Sequence, residues 1–157
     1  MRITALAACD GCAVVRVSGD LDYVSERQFL TSLGAAAAAG YRYLILDVTA
    51  LSFCDSRGLY CMLSLRWLLH RRDGALLLAG VGRRLADLLH QTSSDTLLRA
   101  FDTVRQALDT VPEHHRPVWP PQVPCGLFET PEVRAELASS DLSERIPPPP
   151  APPSGLA

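Results

Sequence analysis

Apolar residues recur along the first 111 positions in two rhythms. Two short stretches, Tyr43 to Val48 and Ala75 to Ala79, are apolar at nearly every position, which predicts strands covered on both faces. Between and after them, apolar residues fall at helical spacing: Leu59, Met62, Leu63, Leu65, Leu68 and Leu69, then Leu85, Leu88 and Leu89, then Val104, Ala107, Leu108 and Val111. Near the N-terminus, the runs Arg2 to Ala8 and Ala13 to Ser18 flank Cys9-Asp10-Gly11-Cys12, and Asp-Gly between two such runs predicts a hairpin. Ser25-Glu26-Arg27-Gln28 predicts a capping box opening a helix that continues through an alanine tract and stops at Gly40. Thr96 to Phe101 reads as a short edge strand, with Asp102 capping a last helix. Strands alternating with helices predict an α/β domain, its sheet mixed because the N-terminal hairpin is antiparallel.

The stretch from Leu44 to Leu69 organises the rest. Leu44-Ile45-Leu46 leads through Asp47-Val48-Thr49 to the turn Phe53-Cys54-Asp55-Ser56-Arg57-Gly58-Leu59, and a long helical pattern leaves it. With Asp55 or Ser56 as cap, the Ser56 hydroxyl sits where backbone N–H groups lack intrahelical partners and the helix dipole is positive, a place that tolerates an anion. An ordinary capping serine has the same local signature.

Composition narrows the function classes. The 157 residues are 48% hydrophobic, enough for one domain with a sizeable core, and a net charge of −2 offers no footprint for direct contact with nucleic acid. All 15 basic residues are arginine, which reads as codon bias in a GC-rich genome. No apolar run approaches the roughly 20 residues needed to cross a bilayer. Leu6-Ala7-Ala8-Cys9 has the look of a lipoprotein cleavage box, but its apolar segment is shorter than the roughly 7–15 residues of a signal. The expectation is a cytoplasmic protein without membrane contact, whose five cysteines are reduced thiols. Cys9-x-x-Cys12 lacks both the second pair of a zinc site and the helix N-terminus of a thioredoxin-like site, so no metal and no cofactor is expected.

All 12 prolines lie after Val111. The sequence therefore predicts a packed domain over 1–111 and a Pro-rich, largely disordered tail over 112–157. Within the tail a short helix is open over 132–146, Val118-Trp119-Pro120 is a candidate docking segment, and Pro147 to Pro153 reads as polyproline-like chain.

Two ordered signatures resemble those of the STAS domain, the fold of anti-sigma factor antagonists. Leu44 through Leu59 is similar to the segment that in the phosphorylatable branch carries the modified serine directly after an aspartate, here Asp55 and Ser56. Gly19-Asp20-Leu21-Asp22 resembles the family's Gly-Glu-Leu-Asp turn, which lies beside that serine. The resemblance spans about residues 10 to 111 and implies an α/β fold with a STAS-like mixed sheet, an N-terminal hairpin and about four helices. It implies a binding switch in which the unmodified protein captures an anti-sigma factor and frees a sigma factor. The anti-sigma factor, itself a serine-protein kinase, then phosphorylates Ser56 and ends the interaction. Asp20, Asp22, Asp55, Ser56, Arg57, Gly58 and Tyr60 are the corresponding candidates for partner binding, and a homodimer stays open.

Arg57 departs from the family pattern, which usually has serine or threonine there. Its guanidinium could pair with a phosphate or obstruct the kinase, and in the latter case the chain is a non-phosphorylated STAS scaffold or ligand-binding module. Gly58 would let a partner or its nucleotide approach the backbone. Tyr60, Arg66 and Trp67 mark a second contact surface on the same helix, unless Trp67 packs under a neighbouring helix. An enzyme is not expected. A hydrolase elbow needs glycine where this chain has Cys54, and no motif brings His70, His90, His114 or His115 to Ser56.

Overall fold

The computed structural model describes residues 1–121, in which six strands and four helices form the expected α/β layers. In chain order these are β1 (Arg2–Cys9), β2 (Cys12–Leu21), α1 (Glu26–Ala38), β3 (Tyr43–Asp47), β4 (Leu51–Cys54), α2 (Ser56–His70), β5 (Ala75–Ala79), α3 (Arg83–Gln91), β6 (Arg99–Phe101) and α4 (Val104–Leu108). The sheet runs β1-β2-β3-β5-β6, antiparallel only at the β1–β2 hairpin, where Gly11 turns the chain with φ +87°. Tyr43–Asp47 and Ala75–Ala79 pair in the middle of the sheet, as their unbroken apolar runs required.

Alternation along the strands divides the core between the two faces. Leu44 and Leu46 of β3 face a cluster with Phe29 and Leu33 of α1, Leu59, Met62 and Leu65 of α2, and Leu85 and Leu89 of α3. Ile45 faces the other way, to Val14, Leu77, Val104 and Leu108 under α4. Three helices thus cover one face and a single short helix the other.

Several boundaries differ from the sequence reading. Leu51–Cys54 is a strand where a turn was expected; β4 pairs with the far end of β2, matching Leu51 with Gly19, Phe53 with Asp20 and Cys54 with Leu21. Four half-exposed residues carry too little periodicity to announce a strand, and only the unpaired end of β2 creates it. The capping box at Ser25 does not form. Ser25 is buried, and its hydroxyl donates to the Asp20 carbonyl at 2.8 Å and accepts the Asp22 N–H at 3.0 Å. The edge strand is limited to Arg99–Phe101, with a 3-10 turn at Ser94–Thr96 before it. Thr103 rather than Asp102 caps α4, accepting from the Gln106 N–H at 3.2 Å.

Beyond Pro112 the described chain stays on the second face. Pro117 is buried and Trp119 packs against the cluster under α4, with the Arg105 guanidinium donating to the Trp119 carbonyl at 2.7 Å. The His115 ring lies 5.6 Å from that of Tyr43, with Nδ1 2.6 Å from the Asp10 carbonyl oxygen. The helix considered over 132–146 and the polyproline run lie outside the described residues.

The tightest approach between sheet and helices is at Gly58. A Cβ there would overlap the Leu21 carbonyl oxygen and come within 2.8 Å of Cys54 Sγ, so α2 can lie against the β2 end only because this position has no side chain. Gly58→Ala should therefore destabilise the domain by about 2–3 kcal/mol in urea unfolding, because a backbone carbonyl has to move. A loss below about 0.5 kcal/mol would mean the contact is loose.

Asp47 is buried at the end of β3. Its Oδ2 accepts two hydrogen bonds from the Arg16 guanidinium at 3.1 and 2.9 Å, and its Oδ1 accepts the Thr49 N–H at 3.0 Å and the Thr49 hydroxyl. Burial alone would push this carboxyl up, but the two Thr49 bonds and Arg16 together hold it below its ordinary value. A carboxyl lowered in the folded state stabilises the fold above its unfolded pKa of about 4, and that contribution is lost as pH falls through the lower folded value. Asp47→Asn should cost on the order of 2 kcal/mol near pH 7, with the gap to wild type narrowing below about pH 4. A gap that is unchanged with pH would contradict this reading.

Candidate functional site

The end of β2, the β2–α1 loop, β4 and the start of α2 converge on one surface because β4 pairs with β2 and Gly58 seats α2 against Leu21. Asp55 adopts an extended conformation, φ −103° and ψ −170°, and its Oδ1 accepts the Gly58 N–H at 2.9 Å. The Asp55 carbonyl takes the first helical bond, from the Leu59 N–H at 2.9 Å. Asp55 is thus the cap and Ser56 the first helical residue. The N–H groups of Ser56 and Arg57 have no intrahelical carbonyl to meet, so the amide-rich end opens beside the serine. Ser56 is exposed, and its hydroxyl makes no hydrogen bond among the described residues.

Arg57 points toward the β2–α1 loop. Its Nε donates to Glu26 Oε1 at 2.9 Å, and the guanidinium lies 5.6 Å from the Tyr23 ring centroid. These contacts tie the start of α1 to the start of α2, and the bond to Glu26 holds the guanidinium still more firmly in its charged form. The two other loop aspartates behave differently. Asp20 is exposed at the β2 end and offers its carboxylate to solvent, whereas Asp22 Oδ1 accepts the N–H groups of Val24 at 3.0 Å and Ser25 at 3.2 Å. Asp22 shapes the loop before it can meet anything else.

Around Ser56, large apolar side chains face water: Tyr23 is 71% exposed, Val24 86%, Phe53 44% and Tyr60 58%. Of these only Tyr60 was singled out from the sequence. Tyr23 and Val24 carried one usable signal, two apolar residues inside a polar turn, and Phe53 was hidden by the unrecognised strand. Gly58, expected to admit a partner to the backbone, is instead buried, and the backbone it admits is that of Leu21 in the same chain. Trp67 does not slip under a neighbouring helix; it is exposed, with the Arg71 guanidinium 4.9 Å from its ring centroid. Arg66 is occupied, donating to the Leu97 carbonyl at 2.8 Å.

Cys54 stands next to the helix end but is a poor nucleophile. Burial, with Asp55 and Cys61 adding to it, pushes its thiol up to about 12. A groove of about 230 Å³ runs between β4 and the start of α3, with Leu51, Phe53 and Cys54 on one side and Arg83 and Arg84 on the other.

Comparison with known proteins agrees with this architecture. The family model for the STAS domain matches residues 5–107. A crystal structure of an anti-sigma factor antagonist from Mycobacterium paratuberculosis is similar with a TM-score of 0.60 and 26% identity, covering 70% of this chain and 94% of that one. The phosphorylated form of the Bacillus cell fate determinant SpoIIAA has a TM-score of 0.57 at 20% identity, covering 71% of this chain and 100% of its own. The murine anion transporter Slc26a9 is similar over 69% of this chain but only 22% of the transporter, with a TM-score of 0.60 and 14% identity. No curated protein matches the chain at a significant level. Among the described residues, no helix is long and apolar enough to cross a membrane. A STAS profile over most of the packed domain, a hairpin-led mixed sheet and a helix whose exposed first residue follows an aspartate cap lead to one conclusion: the chain belongs to the STAS domain family.

Proposed function

We propose that this STAS protein is an anti-sigma factor antagonist controlled by phosphorylation of Ser56. In its unmodified form the surface around Ser56 binds an anti-sigma factor in the cytoplasm and so releases a sigma factor. The anti-sigma factor, acting as a serine-protein kinase, joins the γ-phosphorus of ATP to Ser56 Oγ; ADP leaves and the hydroxyl proton is lost. The chain supplies the acceptor hydroxyl and no catalysis of its own.

The observation that carries this reading is an exposed, unbonded hydroxyl at the first helical residue, where the segments that carry the exposed Tyr23, Val24, Phe53 and Tyr60 converge. Exposed aromatic side chains gathered at one place are the usual anchors of a protein interface. A phosphate there adds about −1.5 to −2 charges. Within the free domain the open N–H groups and the helix dipole stabilise that charge by about 0.3–1 kcal/mol. In the complex the same charge has to be desolvated beside Asp20, which costs more than the helix end returns. Modification therefore ends binding and leaves the fold intact.

A second reading has its own support. Arg57 is already held by Glu26, and the neighbouring groove is lined by Val48, Leu51, Phe53 and Leu85 together with Arg83 and Arg84. Both features suit a STAS scaffold or ligand-binding module that is not phosphorylated.

Incubation with an anti-sigma kinase that binds the chain, together with ATP, should add one phosphate, about 80 Da in the intact mass, to wild type and none to Ser56→Ala. Ser56→Asp should weaken binding to that kinase at least tenfold, about 1.4 kcal/mol, while its thermal midpoint stays at or above that of wild type. Phosphate on another residue, or a Ser56→Asp affinity equal to wild type, would favour the second reading.

A further inference from the structure

The Cys9-Asp10-Gly11-Cys12 motif has no part in the proposed partner switch, yet the fold brings its two thiols together. Cys9 closes β1 and Cys12 opens β2, and the two are direct cross-strand partners in the hairpin register. Residues directly opposite in an antiparallel pair project to the same face, with Cβ atoms about 4.5–5.5 Å apart. That face is the one under α4. Ala7 and Val14, two residues further from the turn on each strand, pair with each other and belong to the core cluster there, as does Cys12.

Their surroundings differ in a useful way. Cys9 is exposed, the only free cysteine among the described residues that is fully so, and Cys12 is completely buried. Cys54 and Cys61 lie on the opposite face of the sheet, partly or wholly enclosed. A small oxidant therefore reaches Cys9 first, and the sulfur best placed to react with the product is that of Cys12.

The geometry points to Cys9 and Cys12 as a reversible dithiol–disulfide couple, a redox modification site at the hairpin end that works with low-molecular-mass disulfides. The Cys9 thiolate attacks one sulfur of such a disulfide, forms a mixed disulfide and releases one equivalent of small thiol. The Cys12 thiol, which burial and then Cys9 push up to about 12, reacts only as the hairpin end opens; it attacks the Cys9 sulfur while its proton passes to the expelled second equivalent. Two electrons pass from the cysteine pair to the reagent, whose two thiols carry away the two protons. A disulfide prefers a Cβ separation of about 3.5–4.5 Å, so the hairpin end has to tighten slightly to close the bond. Cys9 is exposed, and an exposed disulfide is readily reduced, which suits a reversible couple rather than a permanent staple. The bond would form beside the Asp10 carbonyl on which His115 rests, and beside the Gly11 carbonyl that accepts the N–H groups of Arg42 and Tyr43.

This inference is independent of the function assigned to Ser56. Its test is equilibration of the full chain in glutathione buffers of graded oxidised-to-reduced ratio, quenching with N-ethylmaleimide and mass analysis of the tryptic peptide 3–16, which contains both thiols. Oxidation should convert this peptide to a form about 2 Da lighter than the dithiol and without alkylation, and excess reduced glutathione should reverse the change. Cys12→Ser, or Cys12→Ala should the serine variant fail to fold, should trap glutathione on Cys9 instead. Wild-type protein carrying glutathione on Cys9 with Cys12 still alkylated, or a first-formed bridge between Cys54 and Cys61, would overturn the assignment.

Discussion

The close approach of the Leu21 carbonyl to Gly58 fixes everything around the candidate site. Because nothing projects from residue 58, the start of α2 lies directly against the end of β2, and the three segments that meet there cannot drift apart. The loop carrying Tyr23 and Val24 leaves the sheet at Leu21, β4 brings Phe53 to the same edge, and α2 presents Ser56 and Tyr60. A side chain at this one position would separate the Ser56 hydroxyl from the loop beside it. The glycine thus acts through backbone packing, and its functional effect is to define a surface it does not itself reach.

Electrostatics on that surface are arranged more for order than for attraction. The Asp55 carboxylate is committed to capping, Asp22 to its own loop and Glu26 to Arg57, which leaves Asp20 as the acidic side chain most open to solvent. The Arg57 side of the pair with Glu26 is open to solvent, which screens the attraction and leaves it little weight in stability. Its value lies in orientation, since it joins two helix starts and places the guanidinium near Tyr23. A residue that departs from the family pattern has in this way become part of the scaffold around Ser56. The local field at Ser56 then comes mainly from the open N–H groups of the helix end.

Much of the fold was legible because the hydrophobic effect writes period into sequence. The unbroken runs at Tyr43–Asp47 and Ala75–Ala79, the helical spacing through Leu59, Met62 and Leu65, and Asp-Gly at the hairpin all led to the right elements. What escaped depends on contacts between distant segments. Leu51–Cys54 is extended because the end of β2 is there to pair with, and its own four residues do not say so. Ser25 has the sequence of a cap, but Asp20 and Asp22 claim its hydroxyl first. The site divided along the same line. A cap at Asp55 or Ser56 and an exposed Ser56 followed from local chemistry, whereas the choice of Asp55, the internal role of Gly58, the Arg57–Glu26 tie and the exposure of Tyr23, Val24 and Phe53 required tertiary structure.

If partner recognition is organised by the Leu21–Gly58 contact, the footprint of a bound anti-sigma factor has to follow that convergence and not the sheet face under α4. Hydrogen exchange of the full chain, alone and saturated with an anti-sigma factor found to bind it, reads this directly. Slowed exchange concentrated in residues 20–26 and 53–61, with residues 104–119 unchanged, is the predicted result. Protection centred on α4 and the segment after it, with exchange around Ser56 untouched, would contradict the account.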